Sequence, residues 1–236
     1  MYGKLFLIPT PLSESAFQEV LPERIEEIIN ELNHFIVENE KSARHFIKRI
    51  CPRKPQHYLH IGELPKHGKK IQNIDSYLEP LLKGHSMGLL SEAGLPCIAD
   101  PGSNIVLRAH KQKLVVMPLS GPSSILMTLM ASGLNGQRFA FHGYLPIAKN
   151  LLKEKIKSLE KYSRENGQTQ LFMETPYRNG KLLEILLSVC NKYSLLTIAT
   201  DLTGRDEMIK TQSILEWRKT TINLYKRPSL FGLLSF

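Results

Sequence analysis

At 236 residues, 42% hydrophobic and 22% charged, the chain is long enough for one large domain or two modest ones and apolar enough to bury a real core, so disorder is excluded as its main state. The formal net charge of +9 favours a polyanionic partner, because lysine and arginine beside phosphates release counterions, although a solvated basic surface gives the same count. Three cysteines, Cys51, Cys97 and Cys190, without CxxC or Cys/His spacing point to neither a disulfide scaffold nor a zinc site, and no apolar run suits a signal peptide or a bilayer span, so a cytoplasmic location is expected.

Short apolar runs alternate with helical patterns, which predicts an α/β protein. Leu5–Ile8 is a first strand, stopped by Pro9 and Pro11. After Pro22, the residues Ile25, Ile28, Ile29 and Leu32 recur at helical spacing and make one face apolar. Phe35–Val37 reads as a second strand, 41–50 as a basic helix, and 51–70 as irregular with a strand at Tyr58–Ile61. A helix over 71–82 leads into the strand Met87–Leu90, then a helix over 104–110 and a β-branched strand at Leu114–Met117. The spacing of Ile125, Leu126, Leu129 and Met130 predicts a helix that Gly133 ends, followed by a brief strand at Phe139–Phe141. The turn residues of GYLPIAKN (143–150) read as a linker, giving one domain over 1–145 and a second over 146–236. The second half continues with a basic helix over 151–162, a strand at Thr169–Met173, an amphipathic helix marked by Leu182, Leu183, Leu186 and Leu187, and strands at Leu195–Thr200 and Leu230–Leu234.

In open α/β sheets ligands bind beyond the carboxyl ends of strands. Five loops hold that place: PTPLSES, SEAGLPCIADPGS, SGPSS, ETPYRN and DLTGRDE. Spread over both halves, they predict a small-molecule cleft between two domains. Their glycines and prolines expose backbone and permit close approach. Walker, GxGxxG and HExxH patterns are absent, and no serine elbow of the GxSxG kind is expected.

PTPL at 9–12, LLSEAGLPCIADPGSNIV at 89–106 and VVMPLSGPSSILMTLMASGLNGQRFAFHGYLP at 115–146 resemble the tetrapyrrole-methylase superfamily, most closely its small-subunit ribosomal-RNA cytidine-2′-O-methyltransferase branch. ETPYRN at 174–179 and DLTGRDE at 201–207 stand where that branch has similar loops, so the resemblance spans nearly the whole chain in order. It implies two α/β domains with S-adenosylmethionine in the cleft between them, in a homodimer. Carried over position by position, it places Leu12, Ala93, Gly94, Leu95, Ile98, Ser123, Ser124, Glu174, Leu202 and Thr203 at the cofactor. PTPLSES stands where the branch reads PTPIGNL, VENEKSAR stands where it has an acidic pair before Thr-Arg, and the extra C-terminal domain of longer relatives is not expected.

Methyl transfer from a sulfonium to a hydroxyl needs the acceptor oxygen held behind the methyl and relieved of its proton. Glu92, Glu38 and Asp100 are the carboxylates available for this, with a turn carboxylate as the competing reading for Asp100 and a solvated charge for Glu38. His142 reads as a satisfied strand-end histidine and Cys97 as a packing residue. Lys41, Arg44, Lys48, Arg49, Arg53, Lys54, Lys66, Lys69 and Lys70, with Tyr58 among them, form a candidate RNA footprint, and Arg178 and Arg205 could hold phosphate or a cofactor carboxylate. The expected function is ribose 2′-O-methylation of small-subunit ribosomal RNA. Two readings compete with it: a methyltransferase for a tetrapyrrole or other small molecule, and a non-catalytic module that binds cofactor and RNA.

Overall fold

The computed structural model of the chain describes residues 1–13, 17–65 and 73–236. Lys66, Lys69, Lys70, the start of the 71–82 helix and the end of the PTPLSES loop lie outside these residues. The described residues divide into two compact units, 1–122 and 123–236.

In the first unit β1 (Lys4–Ile8), β2 (His34–Val37), β3 (His60–Glu63), β4 (Met87–Leu90) and β5 (Val115–Pro118) form an all-parallel sheet in the order β3-β2-β4-β1-β5. The helices are α1 (Phe17–Val20), α2 (Arg24–Glu31), α3 (Glu40–Ile50), α4 (Glu79–Leu82) and α5 (Ser103–Lys111). Period two along the strands sorts side chains onto two faces. Ile8, Phe35, Val37 and Leu90 pack with Ile25, Ile28 and Ile29 of α2 and Ile47 of α3. Leu5, Ile36, Met87 and Leu89 pack on the other face with Leu81 of α4 and Ile105 of α5. Burial on both faces explains why β4 reads as an unbroken apolar run. The expected helix over 71–82 is a 3-10 turn at Ile74–Tyr77 followed by α4, and the strand expected at Tyr58–Ile61 runs from His60 to Glu63.

The second unit holds β6 (Phe139–Tyr144), β7 (Thr169–Glu174), β8 (Leu195–Thr200), β9 (Met208–Ser213) and β10 (Ser229–Leu234), ordered β6-β7-β10-β8-β9. Only β6 and β7 pair in parallel. Its helices are α6 (Ser124–Ser132), α7 (Lys149–Asn166), α8 (Asn179–Val189) and α9 (Ile214–Trp217). Ile125 and Leu129 of α6 pack on Leu171 and Leu230, while α7, α8 and α9 bury Ile156, Leu186 and Trp217 around Phe172 and Phe231. The division therefore falls before α6, not at the expected 145/146: α6 and β6 pack with the second unit, and the GYLPIAKN segment is partly strand β6 and partly the start of α7. Among the described residues no helix is long and apolar enough to cross a membrane.

Gly88 sits in the middle of β4, where a Cβ would come within 2.7 Å of Ile8 Cδ1 and 2.8 Å of Phe35 Cδ1. Both neighbours are fully buried, so they have little room to give. The Gly88→Ala substitution is expected to lower the stability of the first unit by about 1–3 kcal/mol, read as an earlier midpoint in chemical denaturation.

Candidate active site

Parallel pairing in the order β2-β4-β1 sets the carboxyl ends of three strands side by side. The loops that leave them are therefore neighbours. Thr10 N–H donates to Gly94 O at 2.9 Å and Gly94 N–H donates to Thr10 O at 3.0 Å, tying the loop after β1 to the loop after β4. Ser91 Oγ donates to Gly94 O at 2.7 Å and lies 3.3 Å from Thr10 Oγ1. Gly94 has φ +76, and a Cβ there would lie 3.0 Å from Leu12 Cδ2 and 3.3 Å from Pro122 O, so glycine is required by both conformation and space.

The loop after β2 joins the same edge. Asn39 caps α3 through its Oδ1, which accepts from Ser42 N–H at 3.1 Å. This aims the Ser42 hydroxyl at Glu92, whose Oε1 accepts from Ser42 Oγ. Glu38 Oε1 accepts from Glu92 N–H at 3.0 Å. Glu38, Ser42 and Glu92 thus form one connected group across the ends of β2 and β4. Beside it lies a cavity of about 240 Å³ whose wall includes Pro11, Leu12, Ser42, Phe46, Glu92 and Ala93. Sites that enclose drug-sized ligands run to about 300–1,000 Å³, so this cavity suits a portion of such a ligand. Ser42, Thr10 and Ser91 were not singled out from the sequence. Asn39 before a run of helix formers is an N-cap signature that could have flagged Ser42 three residues on.

Asp100 is engaged differently from Glu92. Its Oδ2 accepts from Cys97 N–H and its Oδ1 from Gly102 N–H, both at 2.7 Å, while Cys97 and Ala99 between them hold positive φ values of 69° and 62°. The turn reading therefore describes its side chain, with both oxygens committed to the loop. Burial pushes its carboxyl above the usual range, against the downward pull of the two amides. Burial, then the Asp100 charge, pushes the Cys97 thiol up to about 12, which fits a packing residue rather than a nucleophile. Leu95 is half-buried, and Ala93 and Ile98 face solvent.

In the second unit the expected cofactor residues lie at element ends. Ser123 caps α6, its Oγ accepting from Leu126 N–H at 3.4 Å, so its side chain already has a helix-terminal task, and Ser124 beside it is half-buried. Glu174, at the end of β7, is buried and accepts from Arg178 Nη2 at 2.5 Å and Thr175 N–H at 2.7 Å. Across β10, Ser229 is the register partner of both Glu174 and Thr200, so the ends of β7 and β8 flank the start of β10. Thr200 Oγ1, Asn179 Oδ1 and Arg178 Nε are buried there without a hydrogen-bond partner. After β8, Arg227 Nε donates to Asp201 Oδ2 at 2.5 Å and Thr203 N–H donates to Glu207 Oε2 at 2.6 Å, which fixes a loop holding Leu202 buried and Thr203 at φ 63°. His142 Nε2 lies 2.7 Å from Gln170 Oε1, the satisfied state expected of it.

The basic residues separate into two kinds. Lys41, Lys48 and Arg53 are exposed, as is Tyr58. Lys54 is buried, its Nζ donating to Asn30 O at 2.9 Å and Asn33 Oδ1 at 3.2 Å; it is a structural strut, not part of an RNA surface. Arg178 is likewise committed to Glu174, whereas Arg205 is exposed. The expected absence of GxSxG is also corrected: GHSMG occupies 84–88. Ser86 there leads into β4 instead of following a strand, so it makes no nucleophile elbow. Among the described residues no group of histidine, cysteine and acidic side chains has metal-binding geometry.

Solved structures share the fold. The chain superposes on the methyltransferase CobJ with a TM-score of 0.63 at 15% identity, covering 98% of this chain and 94% of that one. It superposes on uroporphyrin-III-C-methyltransferase from Thermus thermophilus with a TM-score of 0.57 at 14% identity, covering 99% and 93%. The chain has the α/β fold of the tetrapyrrole methylases. In sequence it resembles the ribosomal-RNA branch. It is 29% identical to Ribosomal RNA small subunit methyltransferase I of Buchnera aphidicola over 97% of this chain and 76% of that protein. The proteins of the same name from Vibrio cholerae and Haemophilus influenzae are 28% and 26% identical, over 90% and 92% of this chain and 69% and 72% of theirs. No family model matches.

The raised Asp100 value means that the folded state holds this proton more tightly than the unfolded chain does. Its charge therefore costs stability at neutral pH, and that cost is relieved as pH falls through the folded value. Asp100→Asn, which keeps one acceptor oxygen and carries no charge, is expected to stay near wild type in denaturation midpoint at neutral pH. Asp100→Ala, which abandons both amides, is expected to lose about 1–3 kcal/mol in the same measurement.

Proposed function

We propose that this chain is an S-adenosylmethionine-dependent methyltransferase acting on small-subunit ribosomal RNA, with a ribose 2′-hydroxyl as acceptor. The reading rests on the similarity, over nearly the whole chain, to proteins named Ribosomal RNA small subunit methyltransferase I. The net charge of +9 and the exposed Lys41, Lys48 and Arg53 support an RNA substrate. That acceptor puts its work in the cytoplasm.

The residues present fit the cofactor. Gly94 is held bare of a side chain beside Leu12, and the small Ala93 lines the adjoining cavity. In the second unit, three buried polar atoms without partners sit near Glu174. Leu12, Ala93, Gly94, Leu95 and Ile98 are the first-unit residues proposed to hold it, several of them through backbone; for Ser123, Ser124, Glu174, Leu202 and Thr203 the same role rests on the resemblance in sequence. When bound, S-adenosylmethionine supplies a methyl already activated on a sulfonium. The chain's task is to place the hydroxyl and take its proton. Ser42 donates to Glu92 Oε1 and fixes that carboxylate, so that its second oxygen would receive the acceptor hydroxyl's proton. Glu38 acts as a positioning residue by accepting the Glu92 N–H at 3.0 Å. Asp100 orders the loop below them.

The edge strand β5 exposes Val115 and Met117, which supports a homodimer that covers them.

Transfer of labelled methyl to unmodified small ribosomal subunits, followed by nucleoside digestion, tests the acceptor. Label on a ribose 2′-oxygen is expected; no label from a preparation that still binds cofactor overturns the acceptor. In the same assay Glu92→Gln is expected to lower kcat by about 10²–10⁴-fold, and Ser42→Ala by a smaller factor, with cofactor binding retained in both. Light scattering is expected to give twice the 26.9 kDa chain mass, and Met117→Glu to return the monomer.

A further inference from the structure

The opposite edge of the first sheet carries a second constellation. At the amino ends of β2, β3 and β4 the rings of His34 and His60 stack with centroids 4.7 Å apart and planes 17° apart, and His85 lies 5.2 Å from His34. These rings border a basin of about 650 Å³ that is also lined by Lys4, Ser86 and Glu31. Ser86 Oγ accepts from Lys4 N–H at 3.0 Å, so its own hydroxyl proton remains available to an acceptor in the basin. Near-parallel rings hold their nitrogen lone pairs in separate planes, which suits several independent N–H donors better than one shared metal ion. Three imidazoles, a lysine and a hydroxyl against a single acid make a donor-rich basin that gains positive charge with each imidazole protonated.

We propose that this basin binds a phosphate group, carried either by RNA or by free phosphate. Nothing in it belongs to the carboxylate edge described above, and the inference does not depend on the acceptor of the methyl. Without an anion, protonation of His34 is disfavoured: burial, then the neighbouring His60 and His85, hold its value below the ordinary one. An anion reverses that repulsion. Binding therefore takes up a proton, and affinity rises as pH falls through the histidine range. The groups facing His34 are Lys4 from β1, Glu31 at the end of α2, His60 from β3 and His85 from the turn into β4, and only Glu31 opposes an anion.

The test follows the histidine ring resonances of the full chain by NMR while sulfate, whose charge is constant over this range, is added near pH 6 and near pH 7.5. Saturable shifts of His34, His60 and His85 are expected, with His110 and His142 unmoved and binding about tenfold tighter at the lower pH for one proton taken up. Combining Lys4→Ala with His85→Ala is expected to abolish the shifts. His85→Arg is expected to keep binding and flatten its pH dependence, which separates loss of the site from loss of the fold. No saturable shift, or shifts of equal size at His142, overturns the proposal. Inorganic phosphate and a single-stranded RNA of about six nucleotides then identify the source. Tighter binding of the RNA assigns the site to a backbone phosphate, and equal binding assigns it to free phosphate.

Discussion

The two backbone hydrogen bonds between Thr10 and Gly94 are the constraint on which the candidate site depends. Parallel strands leave their loops unpaired at the carboxyl edge, and each loop would otherwise adopt its own course. Here the β1 and β4 loops are joined by a single antiparallel ladder rung, Thr10 to Gly94, beside which Ser91 Oγ donates to Gly94 O and Thr10 Oγ1 to Ser91 O. Each such bond contributes only about 1 kcal/mol net, but an unpaired buried partner would cost about 1–3 kcal/mol. The ladder is therefore strongly preferred once the sheet has formed. Glu92 and Ala93 lie on the arch between Ser91 and Gly94, so that ladder sets their backbone, while Glu38 and Ser42 hold the Glu92 amide and carboxylate in turn.

The same sheet separates charge along its strands. Glu38, Glu92 and Asp100 follow its strands, while Lys4, His34, His60 and His85 lie at their starts or just before them. A strand of four or five residues rises about 3.3 Å per residue, so the two groups stand more than a Debye length apart at physiological ionic strength. One architectural element thus carries the proposed proton acceptor at one edge and the proposed phosphate basin at the other.

Much of this was legible in the sequence. The spacing of Ile25, Ile28 and Ile29 identified the buried face of α2, and the apolar runs identified β1, β2, β4, β7, β8 and β10. The loops after them were found because glycine and proline interrupt those runs. β9 was missed because MIKTQS is a partly exposed edge strand with no apolar run. The unit boundary was misplaced because turn residues at 143–150 resemble a linker, whereas long-range packing of α6 on Leu171 and Leu230 decides membership. Lys54 read as surface charge because composition does not reveal that Asn30 and Asn33 wait beneath it. The Ser42–Glu92 contact joins residues 50 apart in sequence, and neither residue alone announces the other.

The order β6-β7-β10-β8-β9 has a consequence for biosynthesis. The first unit has every strand of its sheet once residue 118 has been made. In the second, β7 and β8 meet only through β10, which is made after all the others. Until Ser229–Leu234 emerges, two apolar strand edges stand open, for a time on the order of seconds at ordinary rates of synthesis. The second unit is thus the part of the chain most in need of chaperone protection while still attached to the ribosome.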